Sequence, residues 1–90
     1  YLLTVSDDER PHLLALRPTV VESGLGGTLR FDAGGGRAWR NASERPEVTL
    51  VFPPVEHSDG MSLVVGGVAA TDGEFVDVSP SWAVLHRRAP

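Results

Sequence analysis

The chain has 90 residues, of which 41% are apolar, and a formal net charge of −4 at pH 7, which predicts one globular domain over residues 1–90 with a modest core. The negative charge argues against general nucleic-acid binding, which needs many basic side chains to neutralise phosphates. The absence of cysteine excludes a disulfide framework and leads us to expect a cytoplasmic protein.

The two ends of the chain carry little targeting information. No apolar run approaches the roughly 20 residues needed to cross a bilayer, so no membrane association is expected. No signal peptide is evident either. The abrupt start at Tyr1, in place of Met, leads us to expect that a preceding segment is missing.

Three short strands are predicted in the first third of the chain. Residues 2–5 form the first, and a polar run then turns the chain. Residues 12–17 predict a second strand, with Leu14 and Leu16 on one face and Leu13, Ala15 and Arg17 on the other. Pro18 should end this strand or place it at a sheet edge. A glycine-rich turn at residues 23–27 leads into the third strand, residues 28–32.

One helix is predicted, over residues 35–45. It is too short to be stable alone, so Trp39 should anchor it on a sheet. Arg40 is expected to pair with Glu44 one turn later. Pro46 ends the helix because the residue before a proline avoids helical backbone angles.

The remainder of the chain again shows strand patterns. Gly66-Gly67 predicts a bulge or a close backbone approach within a long strand. Ser79-Pro80 is expected to end the next strand. A last strand then carries Trp82, which is predicted to be buried at a barrel or dimer contact. The predicted strands cover residues 48–52, 61–70, 74–78 and 81–86. Six or so antiparallel strands and one helix predict a mainly β fold, a small barrel with the helix over one opening.

The most informative segment is the glycine triplet Gly34-Gly35-Gly36 followed by Arg37. Glycines let the backbone come close to a ligand, and a helix N-terminus presents unpaired N–H groups. Such an end binds phosphate, and an arginine can grip it through two hydrogen bonds. The segment therefore predicts a site for a phosphorylated cofactor.

The layout of these segments resembles the pyridoxamine 5′-phosphate oxidase-like, FMN-binding split-barrel superfamily. The likeness covers about residues 2–78, and it rests on the order of strand, small-residue loop, basic helix and the Arg45-Pro46-Glu47-Val48 strand start. It implies a six-stranded antiparallel split β-barrel with one short helix after the third strand. It also implies a homodimer that binds FMN across the subunit interface.

The resemblance also implies particular cofactor-binding residues. The basic residue of the second strand matches Arg17 best, with His12 a weaker candidate, and the first basic residue of the helix matches Arg37. Phe31 and Asp32 match positions that line the flavin ring, and the amides of Gly35 and Gly36 should help to hold the phosphate. Two positions depart from the family pattern, since Ala38 replaces a common lysine and Gly36 a small hydroxyl residue, which removes a charge and a hydrogen-bond donor.

These observations favour an FMN-dependent oxidoreductase whose small-molecule substrate the sequence does not identify. The alternatives are a reductase that uses the deazaflavin F420, and a dimeric scaffold that binds a cofactor without catalysis or has lost its site. No residue stands out as a catalytic acid or base. His12, His57 and His86 have no metal-site spacing, and no serine has a Gly-x-Ser-x-Gly setting.

Overall fold

A computed structural model describes residues 1–23, 26–54 and 59–87. Over these residues the chain forms one antiparallel sheet of seven strands and one helix. The elements are β1 (Leu2–Val5), β2 (Pro11–Leu14), β3 (Thr19–Ser23), β4 (Gly26–Asp32), α1 (Arg37–Glu44), β5 (Glu47–Phe52), β6 (Met61–Asp72) and β7 (Phe75–Arg87). The centre of the predicted turn at residues 23–27 and most of the loop before β6 lie outside the described residues.

The strands are arranged in the order β2-β1-β5-β6-β7-β4-β3. The two edge strands, β2 and β3, are neighbours in the chain and are joined by only four residues, 15–18. Such a link spans roughly 17 Å between its flanking Cα atoms when fully extended. The sheet must therefore curl until its two edges approach each other at this point.

This topology corrects the expectation of a six-stranded barrel. The described sheet has seven strands and its hydrogen-bonded order is open, with β2 and β3 unpaired on their outer sides. The predicted strand at residues 12–17 instead ends at Leu14, and a strand that we did not predict begins at Thr19, after Pro18. Val20 and Val21 on that strand are both exposed, so these two neighbours do not show the buried-exposed alternation that marks a half-buried strand. The helix consequently follows the fourth strand.

The core lies between α1 and one face of the sheet. Ala38 and Ala42 of the helix are buried, and they pack with apolar side chains of β1, β4, β5, β6 and β7: Leu2, Phe31, Val48, Leu50, Val65, Ala69, Val76 and Val78. Trp39 is half-buried against this cluster, and its Nε1 donates a hydrogen bond to the Gly73 carbonyl at 2.8 Å. The prediction that Trp39 anchors the helix is confirmed.

The helix is shorter than predicted at both ends. Gly35 has a φ of 71°, and Gly36 is extended with φ −84° and ψ −155°, so neither continues a helix toward the N-terminus. Arg45 leaves the helical region at φ −129° and ψ 90°. Among the described residues no helix is long and apolar enough to cross a membrane.

β6 and β7 form the longest pairing in the molecule, and their register shifts at Gly66 and Gly67. The predicted bulge is therefore confirmed. A Cβ atom on Gly67 would lie 2.7 Å from the Ser79 carbonyl oxygen, so only glycine fits there. The predicted break at Pro80 is wrong, because beyond Val78 the strand pairs with β6 alone, and a missing N–H is tolerated at such an edge.

Candidate functional site

A cavity of about 450 Å³ lies between α1 and the turn that joins β1 to β2, and its volume is in the range of small-molecule sites. We call it the arginine cavity because three arginines line it. Its lining residues are Ser6, Asp7, Asp8, Arg10, Pro11, His12, Arg37, Arg40 and Asn41. Arg37, predicted from the sequence as a phosphate ligand, thus faces a cavity together with two arginines that we did not predict as ligands.

The β1–β2 turn fixes the position of Arg10. The Ser6 hydroxyl hydrogen-bonds the Asp8 carboxylate, and the Ser6 N–H donates to the Arg10 carbonyl oxygen at 2.9 Å. Glu9 takes a left-handed conformation with φ 62° to close the turn. Nε of Arg10 lies 3.3 Å from the Asp8 carboxylate, so the charges of these two residues largely balance.

The second carboxylate of the turn, Asp7, is held by the C-terminal end of α1. Nη1 of Arg45 donates to Asp7 Oδ1 at 2.8 Å and lies 3.7 Å from Glu44 Oε2. A hydrogen bond with Glu44, followed by the bond from Arg45, holds the pKa of Asp7 below its ordinary value. The contact with Asp7 raises the pKa of Glu44. Among the described residues the predicted pairing of Arg40 with Glu44 forms no salt bridge, because Glu44 is engaged by Asp7 and Arg45.

The cavity is left with excess positive charge from the helix. Within the described part of the chain, neither Arg37 nor Arg40 takes part in a salt bridge. The two residues are three apart on α1, and side chains at that spacing lie on the same side of a helix. Because Asp7 and Asp8 are already paired, Arg37 and Arg40 are the groups that can bind an anion.

The glycine triplet forms the loop before α1 and is not part of the lining of the arginine cavity. Gly34 and Gly35 have φ values of 62° and 71°, a conformation that non-glycine residues rarely adopt. The Gly34 N–H donates to Asp32 Oδ1 at 3.3 Å, and the Gly36 N–H donates to the Ala33 carbonyl at 3.3 Å. Two of the three amides are thus used within the loop, and none of the glycines lines the arginine cavity. Asp32 stabilises this loop.

Two other predicted site residues lie elsewhere. Arg17 lines a separate cavity of about 450 Å³, beside Tyr1 and Phe52, so within one chain it does not meet Arg37. The side chain of Phe31 is 1% exposed and belongs to the core. Neither its side chain nor its backbone is accessible to a ligand, because the whole residue is enclosed between the sheet and α1.

His12 and Asn41 also line the arginine cavity. Asn41 is 4% exposed, and its Nδ2 donates to the hydroxyl of the buried Thr4 at 3.1 Å. The buried Nδ1 of His12 has no hydrogen-bond partner among the described residues. No group of three or more His, Cys, Asp or Glu residues in the described ranges could hold a metal ion, and His57 lies outside those ranges.

Comparison with known proteins gives two relatives. They are the uncharacterized protein Mb0449c of Mycobacterium bovis and the uncharacterized protein MT0457 of Mycobacterium tuberculosis. Each is 40% identical over 101 aligned positions, which cover 99% of the chain and 70% of the relative. No protein-family model matches the chain, and no solved structure matches it significantly.

Proposed function

The chain belongs to the family of these two mycobacterial proteins, and we propose that it is an FMN-dependent oxidoreductase of the pyridoxamine 5′-phosphate oxidase-like kind. The observation that carries the proposal is the position of Arg37, which lines the arginine cavity together with Arg10 and Arg40. A group with two negative charges is the natural ligand for this cluster, and the FMN phosphate is such a group.

The cluster fits a phosphate in its chemistry as well as in its charge. A guanidinium presents planar, paired donors that match phosphate oxygens. Arg37 and Arg40 are both exposed on α1, and neither forms a salt bridge within the described residues. In addition, the N-cap residue Gly36 has no side chain to satisfy the first N–H groups of α1, so this end of the helix also favours an anion.

In this proposal the protein holds the cofactor and the cofactor supplies hydride or electron transfer when it is bound. Arg37 and Arg40 bind the phosphate, and Arg10, fixed by the β1–β2 turn, closes the cavity opposite α1. The substrate is a small molecule, and no residue is assigned as catalytic acid or base.

Two alternatives to an FMN-dependent enzyme are based on Ala38, which stands where the superfamily commonly has a lysine. Ala38 is 2% exposed and packs in the core, so this chain lacks one cation of the usual phosphate grip. A weaker grip favours either the deazaflavin F420 as cofactor or a dimeric scaffold without catalysis. The two cofactors differ in absorbance, since oxidised flavin has one near-ultraviolet and one visible band and the deazaflavin has a single band.

The proposal includes a homodimer with the cofactor at its interface. Arg17 and Arg37 line different cavities of one chain, so a ligand that uses both would need two copies. The proposed split-barrel architecture draws support from β2 and β3, which lie at opposite edges of the sheet although only four residues separate them. The cytoplasm is the proposed compartment, in keeping with a chain that has no cysteine.

Titration of the purified protein with FMN, and in parallel with F420, tests this function. We expect Arg37→Ala to weaken binding roughly tenfold or more, because a hydrogen bond to a charged group is lost. Arg87→Ala is the matched control, since Arg87 is an exposed arginine outside the cavity, and its affinity should equal that of the parent. Equal affinity of the parent and Arg37→Ala would contradict the phosphate role, and binding of neither cofactor would leave the scaffold alternative.

A further inference from the structure

A second cavity, of about 430 Å³, lies on the face of the sheet opposite the core. We call it the Trp82 cavity. Val48 and Leu50 of β5 point into the core, whereas Glu47 and Thr49 alternate with them and face outward. The lining residues are Glu47, Val48, Thr49, Gly67, Val68, Ser81 and Trp82, and none of them lines the arginine cavity.

Trp82 is fixed against the backbone of β6. Gly66 is its cross-strand partner, and the indole occupies the space that a side chain at Gly66 would fill. Next to it, the Ser81 hydroxyl donates to the Gly66 carbonyl at 3.2 Å. Trp82 is nevertheless 52% exposed, so much of the ring surface remains available to a partner.

Glu47 is the single charged residue in the lining of the Trp82 cavity. Within the described ranges it forms no salt bridge. An indole face attracts cations through its quadrupole, and an uncompensated carboxylate beside it attracts them through its charge. The cavity is therefore complementary to an organic cation, and arginine is the side chain that best combines charge with stacking on an aromatic ring.

The adjacent strand offers a place for the backbone of such a partner. β4 pairs with β7 only from Phe75 to Val78, so among the described strands the outer edge of residues 79–87 is unpaired. All nine of these residues are exposed, and they include the apolar Val84 and Leu85. An unpaired edge of this length is a template for an added strand.

We propose that the Trp82 cavity and the free edge of β7 together bind an extended, arginine-containing segment of a partner polypeptide. The backbone of the segment lies along the free edge of β7, its arginine side chain reaches over the sheet to stack on Trp82, and the charge of Glu47 in the same cavity attracts the guanidinium. The net charge of −4 favours a basic partner over an acidic one. This surface is separate from the proposed cofactor site, so the two proposals stand or fall independently.

The test uses the full chain and a capped five-residue peptide, Thr-Val-Arg-Val-Thr, with the same peptide carrying citrulline in place of arginine as a neutral control. NMR of the indole N–H groups reports the site, because Trp39 is bonded to Gly73 and serves as an internal reference. We expect the arginine peptide to shift the Trp82 signal and leave the Trp39 signal in place. Glu47→Gln should weaken binding by roughly fivefold, the upper range for a surface ion pair, and Glu74→Gln, at an exposed hairpin position, should not.

Three outcomes would overturn the proposal. The first is an equal response to the arginine and citrulline peptides, and the second is unchanged affinity in Glu47→Gln. The third is a dimeric mass by light scattering together with a Trp82 N–H signal that does not shift when the peptide is added, because a second copy of the chain would then cover this face.

Discussion

The indole of Trp82 fills the position that a side chain on Gly66 would occupy. The two residues are cross-strand partners at the register shift between β6 and β7. This contact explains why a glycine stands in the middle of the longest pairing in the sheet. It also fixes the aromatic ring on the outer face.

Gly66→Ala should therefore destabilise the protein. The added methyl group must displace the ring or the strand, and overpacking of this kind costs about 1–3 kcal/mol. We expect the loss in the free energy of unfolding, measured by urea denaturation. Gly27→Ala is the control, because its Cβ would meet only Val20 Cγ1 at 4.0 Å. The double variant Gly66→Ala, Trp82→Ala removes the clash between the methyl group and the indole, so it should be more stable than the sum of the two single effects predicts. If it is not, the clash is not the cause of the destabilisation in Gly66→Ala.

A buried polar pair should couple α1 to β1. Asn41 and Thr4 are 4% and 0% exposed, and they share a hydrogen bond of 3.1 Å. Asn41→Ala leaves the Thr4 hydroxyl without this donor, so we expect a loss of about 1–3 kcal/mol. Combined with Thr4→Val in a double-mutant cycle, the coupling should be about 0.5–1.5 kcal/mol. Strict additivity in urea denaturation would contradict the pairing.

The stability of the sheet should depend on pH through Asp77. Nε and Nη2 of Arg30 donate to its two carboxylate oxygens at 2.7 and 2.9 Å, and this contact holds the pKa of Asp77 below its ordinary value. The unfolded chain therefore binds the proton more readily than the folded one. The contribution is fully present above a pH of about 4 and is lost as pH falls through the lower folded pKa.

Asp77→Asn checks this expectation. The variant should be less stable than the parent at pH 6, and the difference should shrink as the pH is lowered toward 3. Midpoints of urea denaturation at several pH values measure the effect. A difference that stays constant over that range would mean that Asp77 does not titrate with folding.

The short apolar runs bounded by turn-forming residues were predictable from the sequence. Residues 2–5 form β1 as predicted, and residues 48–52 fall within β5, because each is an apolar run that ends at a polar or proline-containing segment. β3 escaped prediction because Val20 and Val21 both face solvent. β7 continues through Pro80 because, among the described strands, it is paired on one side only beyond Val78. Which side of a strand is paired depends on the topology of the sheet and is not visible in the local sequence.

The parts of the candidate site that depend on neighbouring residues in the sequence were predictable, and the parts that depend on contacts between distant residues were not. Arg37 was identified because it directly follows a glycine loop at the start of a helix. Arg40 was predicted to pair with Glu44, but Glu44 instead contacts Asp7, a residue far away in the sequence. Arg10 gave no signal, because the packing of α1 beside the β1–β2 turn follows from the pairing of β1 with β5.

The short link between β2 and β3 has a mechanical consequence for the whole molecule. Each of these strands belongs to a hairpin, β1–β2 at one edge and β3–β4 at the other. Because residues 15–18 tether the two hairpins, neither can peel away without pulling on the other. We therefore expect the separation of β2 from β1 and of β3 from β4 to be coupled, so that each edge hairpin restrains the other.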